Sequence, residues 1–496
     1  MRTWPAALWI AIAFCPAPAV AAGAGQLASS DTAWMSVLLA GRRIGHLRIE
    51  RVNDGQTVTT TQDLQIELNR SGKTVPVGVL TRSVETLDSQ PLGFYSRSTL
   101  SSSDSTVDGQ RQADGRYAVT TIVAGFASRS ELSWPGGALL SDGQRRAMAD
   151  AVGQAGHYPL RVFDPASQAV ATVDIEVLGN ERVSLPDGEE LLSHQRQLLR
   201  TPRGEQRMDL WVNQRGEMRK SSLQMLGHSL DMLACSQACA LAPVQQIDML
   251  RASMIDSPQG LSSAMRQGVL RYVIHIDDSQ AQPLIATDEQ RITPLGHGNW
   301  LVDIGNAVPG GQAPPKAEDI QANAWLQADA PEIRALAARA TLGAEDDQQK
   351  MIQLRDLVSA YIQPHGRDSG YASAIEVVRT RAGDCKQHAV LLAALARAER
   401  IPARVVTGMV YADRYAGSRQ VFVPHAWVQA WVHGRWQSFD ATLARFDSTH
   451  LALDSGDGDP WHFTNLAGLF GQLHIAQVGT APEQTAVTAG AVAIGD

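Results

Sequence analysis

From about Ala33 to Val244 the apolar residues recur at every second position, and no other feature limits the possible folds of this chain as tightly. Leu64, Ile66 and Leu68 alternate with Gln65 and Glu67. Val75, Val77 and Val79 repeat the pattern, as do Val173, Ile175 and Val177 against Asp174 and Glu176. A period of two sends successive side chains to opposite faces of a strand, leaving one face apolar and the other wet. Asn53-Asp54-Gly55, Asn69-Arg70-Ser71-Gly72, Asp114-Gly115 and Pro186-Asp187-Gly188 separate the runs as turns. Residues 30–245 therefore read as an antiparallel β-rich domain, a meander curving into a sheet or partial barrel. A helix around Gly143 to Gly153 is expected to interrupt it.

The remainder changes character by steps. Residues 246–305 read as a small β connecting region, with strands at Val269 to Ile276 and Trp300 to Ile304. Residues 306–318 are rich in Pro and Gly and read as a linker. A core is expected over 319–470, where the apolar period lengthens to that of helices. Pro331 suits a first helical turn leading to Ala340, and Met351, Leu354, Leu357 and Val358 stripe a second helix from Gln349 to Ile362. After Val478 the sequence holds Ala, Gly, Thr and Val with few large groups, and residues 471–496 read as a flexible tail.

The N-terminus has the form of an export leader. Arg2 precedes the apolar run Ala6 to Cys15, and Ala19-Val20-Ala21 supplies small residues for cleavage, so 1–22 read as a signal peptide. That run is too short, and too broken by Pro16 and Pro18, to span a membrane. Phe14 before Cys15 argues against a lipoprotein site. The expected location is periplasmic or secreted. A net charge of −8 and a pI near 5.9 argue against a nucleic-acid partner.

Export makes cysteine usage informative. Of four cysteines, Cys15 lies in the leader and Cys235 and Cys239 are spaced to pair, although inert thiols or half a metal site are alternatives. Cys385 is left over. Asp384-x-x-Gln387 is a capping box, and the apolar run Ala389 to Leu395 makes the helix that follows a buried one. Cys385 thus falls in a first helical turn, where the dipole and free N–H groups favour a thiolate. Ser373-x-x-Glu376 opens a short helix just before it.

A thiolate nucleophile needs a base and a group to orient that base. His425, Trp427, Gln429 and Trp431 alternate with Ala426, Val428, Ala430 and Val432 along one strand. His433-Gly434 suits a two-residue turn. That turn opposes Trp427 with Asp440 and puts Asp440 one diagonal step from His425, on the same face. Cys, His and Asp in this order match papain-type sites.

Four blocks of the sequence closely resemble the transglutaminase-like superfamily: Arg381-Ala382-Gly383-Asp384-Cys385, Ile401 to Gly408, Pro424-His425-Ala426-Trp427-Val428 and Phe439-Asp440-Ala441-Thr442-Leu443. The resemblance spans roughly residues 320–455. It implies an α+β papain-like core behind the β-rich N-terminal region, with Cys385 as nucleophile, His425 as general base and acid, and Asp440 as orienter. It also implies attack on a carboxamide or peptide carbonyl, a thioester, and resolution by water or an amine. The chain lacks a tryptophan between Trp325 and Trp427, so oxyanion stabilisation falls to the Cys385 N–H or another side chain. No cofactor or metal is expected, and Asp454, Asp457 and Asp459 read as a solvated turn.

Blander roles attach to the neighbours. His388, one turn beyond Cys385, is a rival base but points along the helix and suits packing or hydrogen bonding. Trp427 and Trp431 suit a pocket wall or core, Gln429 a core or cleft position, and Arg381 and Lys386 solvent. The expected function is an exported cysteine-dependent acyl-transfer enzyme acting on protein or peptide amides, with a protein partner possible for the β-rich domain. The alternative is a non-catalytic periplasmic binding or assembly module that keeps the fold.

Overall fold

The computed structural model describes residues 29–481 except 71–72, 101–102, 202–203, 226, 248, 278–283, 307, 309–310, 365–370, 444 and 461–470. The leader expected at 1–22 and the tail beyond 481 lie outside the described residues, as do Ser71-Gly72 of an expected turn and Pro309-Gly310 of the expected linker. No described helix is long and apolar enough to cross a membrane.

Fifteen strands between Ser29 and Cys235 form one sheet. The first eight run as a meander. The last seven form a second series, whose final strand, His228–Cys235, pairs antiparallel with the first, Ser29–Leu39. Every neighbouring pair is antiparallel except Ala138–Leu139 with Gly156–Asp164. The alternation does what its period demands: Val173, Ile175 and Val177 are buried in one strand, and Met35, Val37 and Leu39 in another. Helix α1 (Ser141–Ala151) falls in the middle of the chain order, close to its expected place. The Glu85 carboxylate accepts from the N–H groups of Asp142 and Gly143 in its first turn, satisfying donors that a helix start leaves free. Cys235 and Cys239 are joined as a disulfide.

A second sheet holds strands β1 (Leu270–Ile276), β2 (Gln290–Gly296) and β3 (Asn299–Ile304), within the stretch read as connecting. Four helices follow: α2 (Pro331–Ala340), α3 (Asp347–Tyr361), α4 (Ala374–Thr380) and α5 (Cys385–Ala398). They precede β4 (Ala403–Tyr415), β5 (Ser418–Val432), β6 (Arg435–Phe439) and β7 (Leu451–Gly456), an antiparallel sheet in which β5 and β7 flank β4 and β6 pairs with β5. Ala426, Val428, Ala430 and Val432 of β5 share one core with Ile333, Leu354, Val358 and the α5 run Val390 to Ala396. Burying this stripe of large aliphatic groups stabilises the core by roughly 1.5–3 kcal/mol per side chain before entropy is counted.

Part of the expected tail is structured. Strand β8 (Leu473–Thr480) pairs antiparallel with β1 and completes the second sheet. Leu473, Ile475 and Val478 are buried in a core shared with Tyr272, Ile274, Met409, Phe422 and Leu451. The poor composition beyond Val478 hid a short apolar alternation before it. The expected linker is also held in place where it is described: Ala313 O accepts from the Trp436 indole at 2.9 Å, and Gln312 Nε2 donates to Gln429 Oε1 at 3.1 Å. Asp319 pairs with Arg404 through two hydrogen bonds of 2.8 and 2.9 Å.

Candidate active site

Local chemistry sets up the start of α5. Arg381 ends α4 in the left-handed region, at φ 51°. Ala382 and Gly383 then pair parallel with Gln363 and Pro364. At Asp384 the capping box closes: its Oδ1 accepts from Lys386 N at 3.0 Å, and Gln387 Oε1 accepts from Asp384 N at 3.0 Å. Gly383 is required here, because a Cβ would lie 2.3 Å from that of Gln387. The helix therefore begins at Cys385, which is half-buried and free.

The hairpin of β5 and β6 supplies the other two groups. His433 and Gly434 both have positive φ, 51° and 74°, as a two-residue turn of this hand requires. Val432 opposes Arg435 and Val428 opposes Phe439, so Asp440 follows the strand in the anticipated register. His425 Nε2 donates to Asp440 Oδ2 at 2.7 Å. The imidazole also lies close enough to the Cys385 sulfur to interact with it electrostatically. Sulfur, imidazole and carboxylate thus lie in a row.

Electrostatics follow from burial and this row. Burial opposes charge on His425, but the Asp440 carboxylate and the Cys385 sulfur outweigh it and raise its pKa to about 10. Asp440 is also buried, yet His425 and His450 hold its carboxyl well below the usual range. Its other oxygen, Oδ1, accepts from the N–H groups of Thr442 and Leu443 at 2.6 and 3.0 Å.

The neighbours take structural positions. His388 Nδ1 bonds the carbonyl of Asp384 at 2.7 Å, and burial lowers its pKa. Lys386 pairs with Asp384 at 2.6 Å, and the Arg381 guanidinium lies over the Tyr361 ring. Trp427 stacks beneath His425 with ring centroids 6.2 Å apart, and its indole N–H donates to Ser438 Oγ at 3.1 Å. Behind Ser438 sits the buried Glu289, whose Oε1 accepts from Ser438 N at 3.1 Å and whose pKa is raised by burial. Trp431 packs edge-on to Trp436.

Sequence reasoning missed His450. Its Nε2 donates to the same Asp440 Oδ2, at 3.0 Å, and its ring is buried. A histidine directly before the alternation Leu451, Leu453 was the available signal, but nothing local says that β7 lies beside β4. Among the described residues, His425, Asp440 and His450 form a group able to hold a metal ion, with ligand atoms within 4.8 Å of one another. Direct hydrogen bonds account for that closeness.

The family model described as Transglutaminase-like superfamily matches residues 334–441. Among curated proteins, none matches this chain. The solved structures similar to it include a candidate cysteine protease from Cytophaga hutchinsonii, 17% identical, covering 44% of this chain and 82% of that one, with a TM-score of 0.28. The periplasmic domain of TgpA from Pseudomonas aeruginosa is 20% identical, covers 45% of this chain and 81% of that one, and scores 0.28. A β-barrel-like protein of a domain of unknown function from Brucella abortus is 12% identical, covers 43% of this chain and 98% of that one, and scores 0.32. The stretch that this family model matches contains Cys385, His425 and Asp440.

Proposed function

We propose that this chain is an exported cysteine-dependent acyl-transfer enzyme acting on protein or peptide amides. One observation carries the reading: His425, hydrogen-bonded to Asp440, interacts with Cys385 at the start of a buried helix. The Cys385 sulfur attacks the amide carbonyl carbon, and its proton passes to His425. The negative oxygen that forms is met by the Cys385 backbone N–H at the start of α5. As the C–N bond breaks, the His425 imidazolium gives its proton to the departing nitrogen, leaving a thioester and neutral imidazole. Water or an amine then attacks the thioester, losing a proton to His425, and the sulfur is released. The leader-like residues 1–22 and the Cys235–Cys239 disulfide support an exported setting.

The test incubates the protein with a glutamine-containing peptide and a tagged amine and reads product masses. Amine incorporation, deamidation or cleavage, each reduced about a thousandfold or more in Cys385→Ala, is the expected result. No product from any peptide, together with Cys385 labelling that His425→Ala leaves unchanged, would remove the enzymatic reading and favour a non-catalytic module.

A further inference from the structure

We propose that His450 is a positioning residue that shares the Asp440 carboxylate with His425 and so keeps the His425 proton transferable. The inference rests on the reading of Cys385 and His425 as a nucleophile and its acid–base partner. Asp440 is saturated: two backbone N–H groups reach Oδ1, and two imidazole N–H groups reach Oδ2. A histidine present only to fill space could bond a backbone carbonyl, as His388 does. His450 instead goes to the oxygen that orients His425.

The ring of His450 has no freedom to leave. Trp427 meets it edge-on at 5.1 Å and 83°, and Phe446 covers it at 4.9 Å. Its Nδ1 is 3.0 Å from the Asp447 carbonyl and 3.2 Å from Asp447 Oδ1. The groups that face it are Asp440, Asp447, His425 and, more remotely, the buried Glu289. The result is one line of contacts: Cys385, His425, Asp440, His450, Asp447.

The chemical consequence is competition. Two imidazoles on one carboxylate oxygen each receive less of its charge than either would alone. In dry surroundings that charge is strong, so an unshared Asp440 would hold the His425 proton too tightly to deliver it to a leaving amine. His450 therefore moderates the pair while keeping Oδ2 aimed at it.

The experiment needs no amide substrate, so its failure is distinguishable from failure of the enzymatic reading. Iodoacetamide labelling of Cys385 is followed against pH in the full chain, in His450→Leu and in His450→Gln, with melting curves in parallel. The upper inflection reports loss of the His425 proton. It should rise by about one pH unit in His450→Leu, and return to within about 0.3 unit of the unaltered chain in His450→Gln, whose amide keeps an N–H on Asp440. An inflection unchanged or lowered in His450→Leu, or one that moves as far in His450→Gln, overturns the proposal. Should His450→Leu not fold, nitrogen-15 NMR of the histidines in the unaltered chain decides it. His450 must keep Nε2 protonated, and a ring protonated at Nδ1 alone overturns the proposal.

Discussion

Burial alone would discharge His425, and the carboxylate 2.7 Å away reverses that preference. The pair therefore ties stability to pH with a definite sign. His425 has its folded pKa raised to about 10, so its contribution is complete below about pH 6.5 and is lost as pH climbs through 10. Asp440 is depressed, so its contribution is complete above about pH 4 and is lost on acidification. Asp440→Asn should cost about 3–5 kcal/mol between those limits, because both histidines lose their carboxylate. In urea titrations the gap to the unaltered chain should narrow from pH 6.5 towards 10. A gap that widens with alkalinity would contradict this account. At this scale much was legible in the residues: a capping box announces Cys385, and a two-residue turn places Asp440 against His425. His450 was not legible, since nine intervening residues separate it from Asp440 without a regular period.

Among elements, the junction of α4 and α5 determines where the sulfur sits. Gly383 lies against Gln387, whose side chain reaches back to the Asp384 N–H. A methyl at 383 displaces Gln387 and opens the cap. Gly383→Ala should destabilise by about 1–3 kcal/mol and slow Cys385 labelling. Gln387→Ala alone should cost about 1 kcal/mol, the scale of a capping bond. The double substitution relieves the clash, so its effect in chemical denaturation should be less than the sum of the two; strict additivity would show that the contact is not what Gly383 serves. The caps and the hairpin were readable because each depends on residues at most four apart. Sheet order was not: β4 lies between β5 and β7, and only β5 follows it directly in sequence.

On the scale of the whole molecule, the two larger sheets beyond residue 246 share one core rather than standing as separate pieces. Tyr272 donates its hydroxyl proton to Ser448 O at 2.7 Å, linking β1 to the segment that carries His450. Ile475 of β8 is buried beside Met409 and Phe422. Ile475→Asp should therefore destabilise the region by about 3 kcal/mol or more, through a buried unpaired carboxylate, and lower the midpoint of Cys385 exposure to a thiol reagent in urea. An unchanged midpoint would restore the reading of 471–496 as a tail. The N-terminal sheet also touches the helical core, through Phe126 under the Arg379 guanidinium of α4 at 4.9 Å.

The period-two run, the helix stripes, the caps and the turn at His433-Gly434 were decided by the sequence alone, and so was the facing of Asp440 towards His425 across that turn. Each of these depends on which face of a local element is apolar, or on hydrogen bonds between near neighbours, and both leave a pattern in the residues. The joining of the first strand to the fifteenth, the recruitment of β8 and the approach of His450 to Asp440 were decided by tertiary structure. Alternation tells a strand which face to bury but not which edge to join. Distant edges compete for that choice, and it is settled by the core that the whole chain can close.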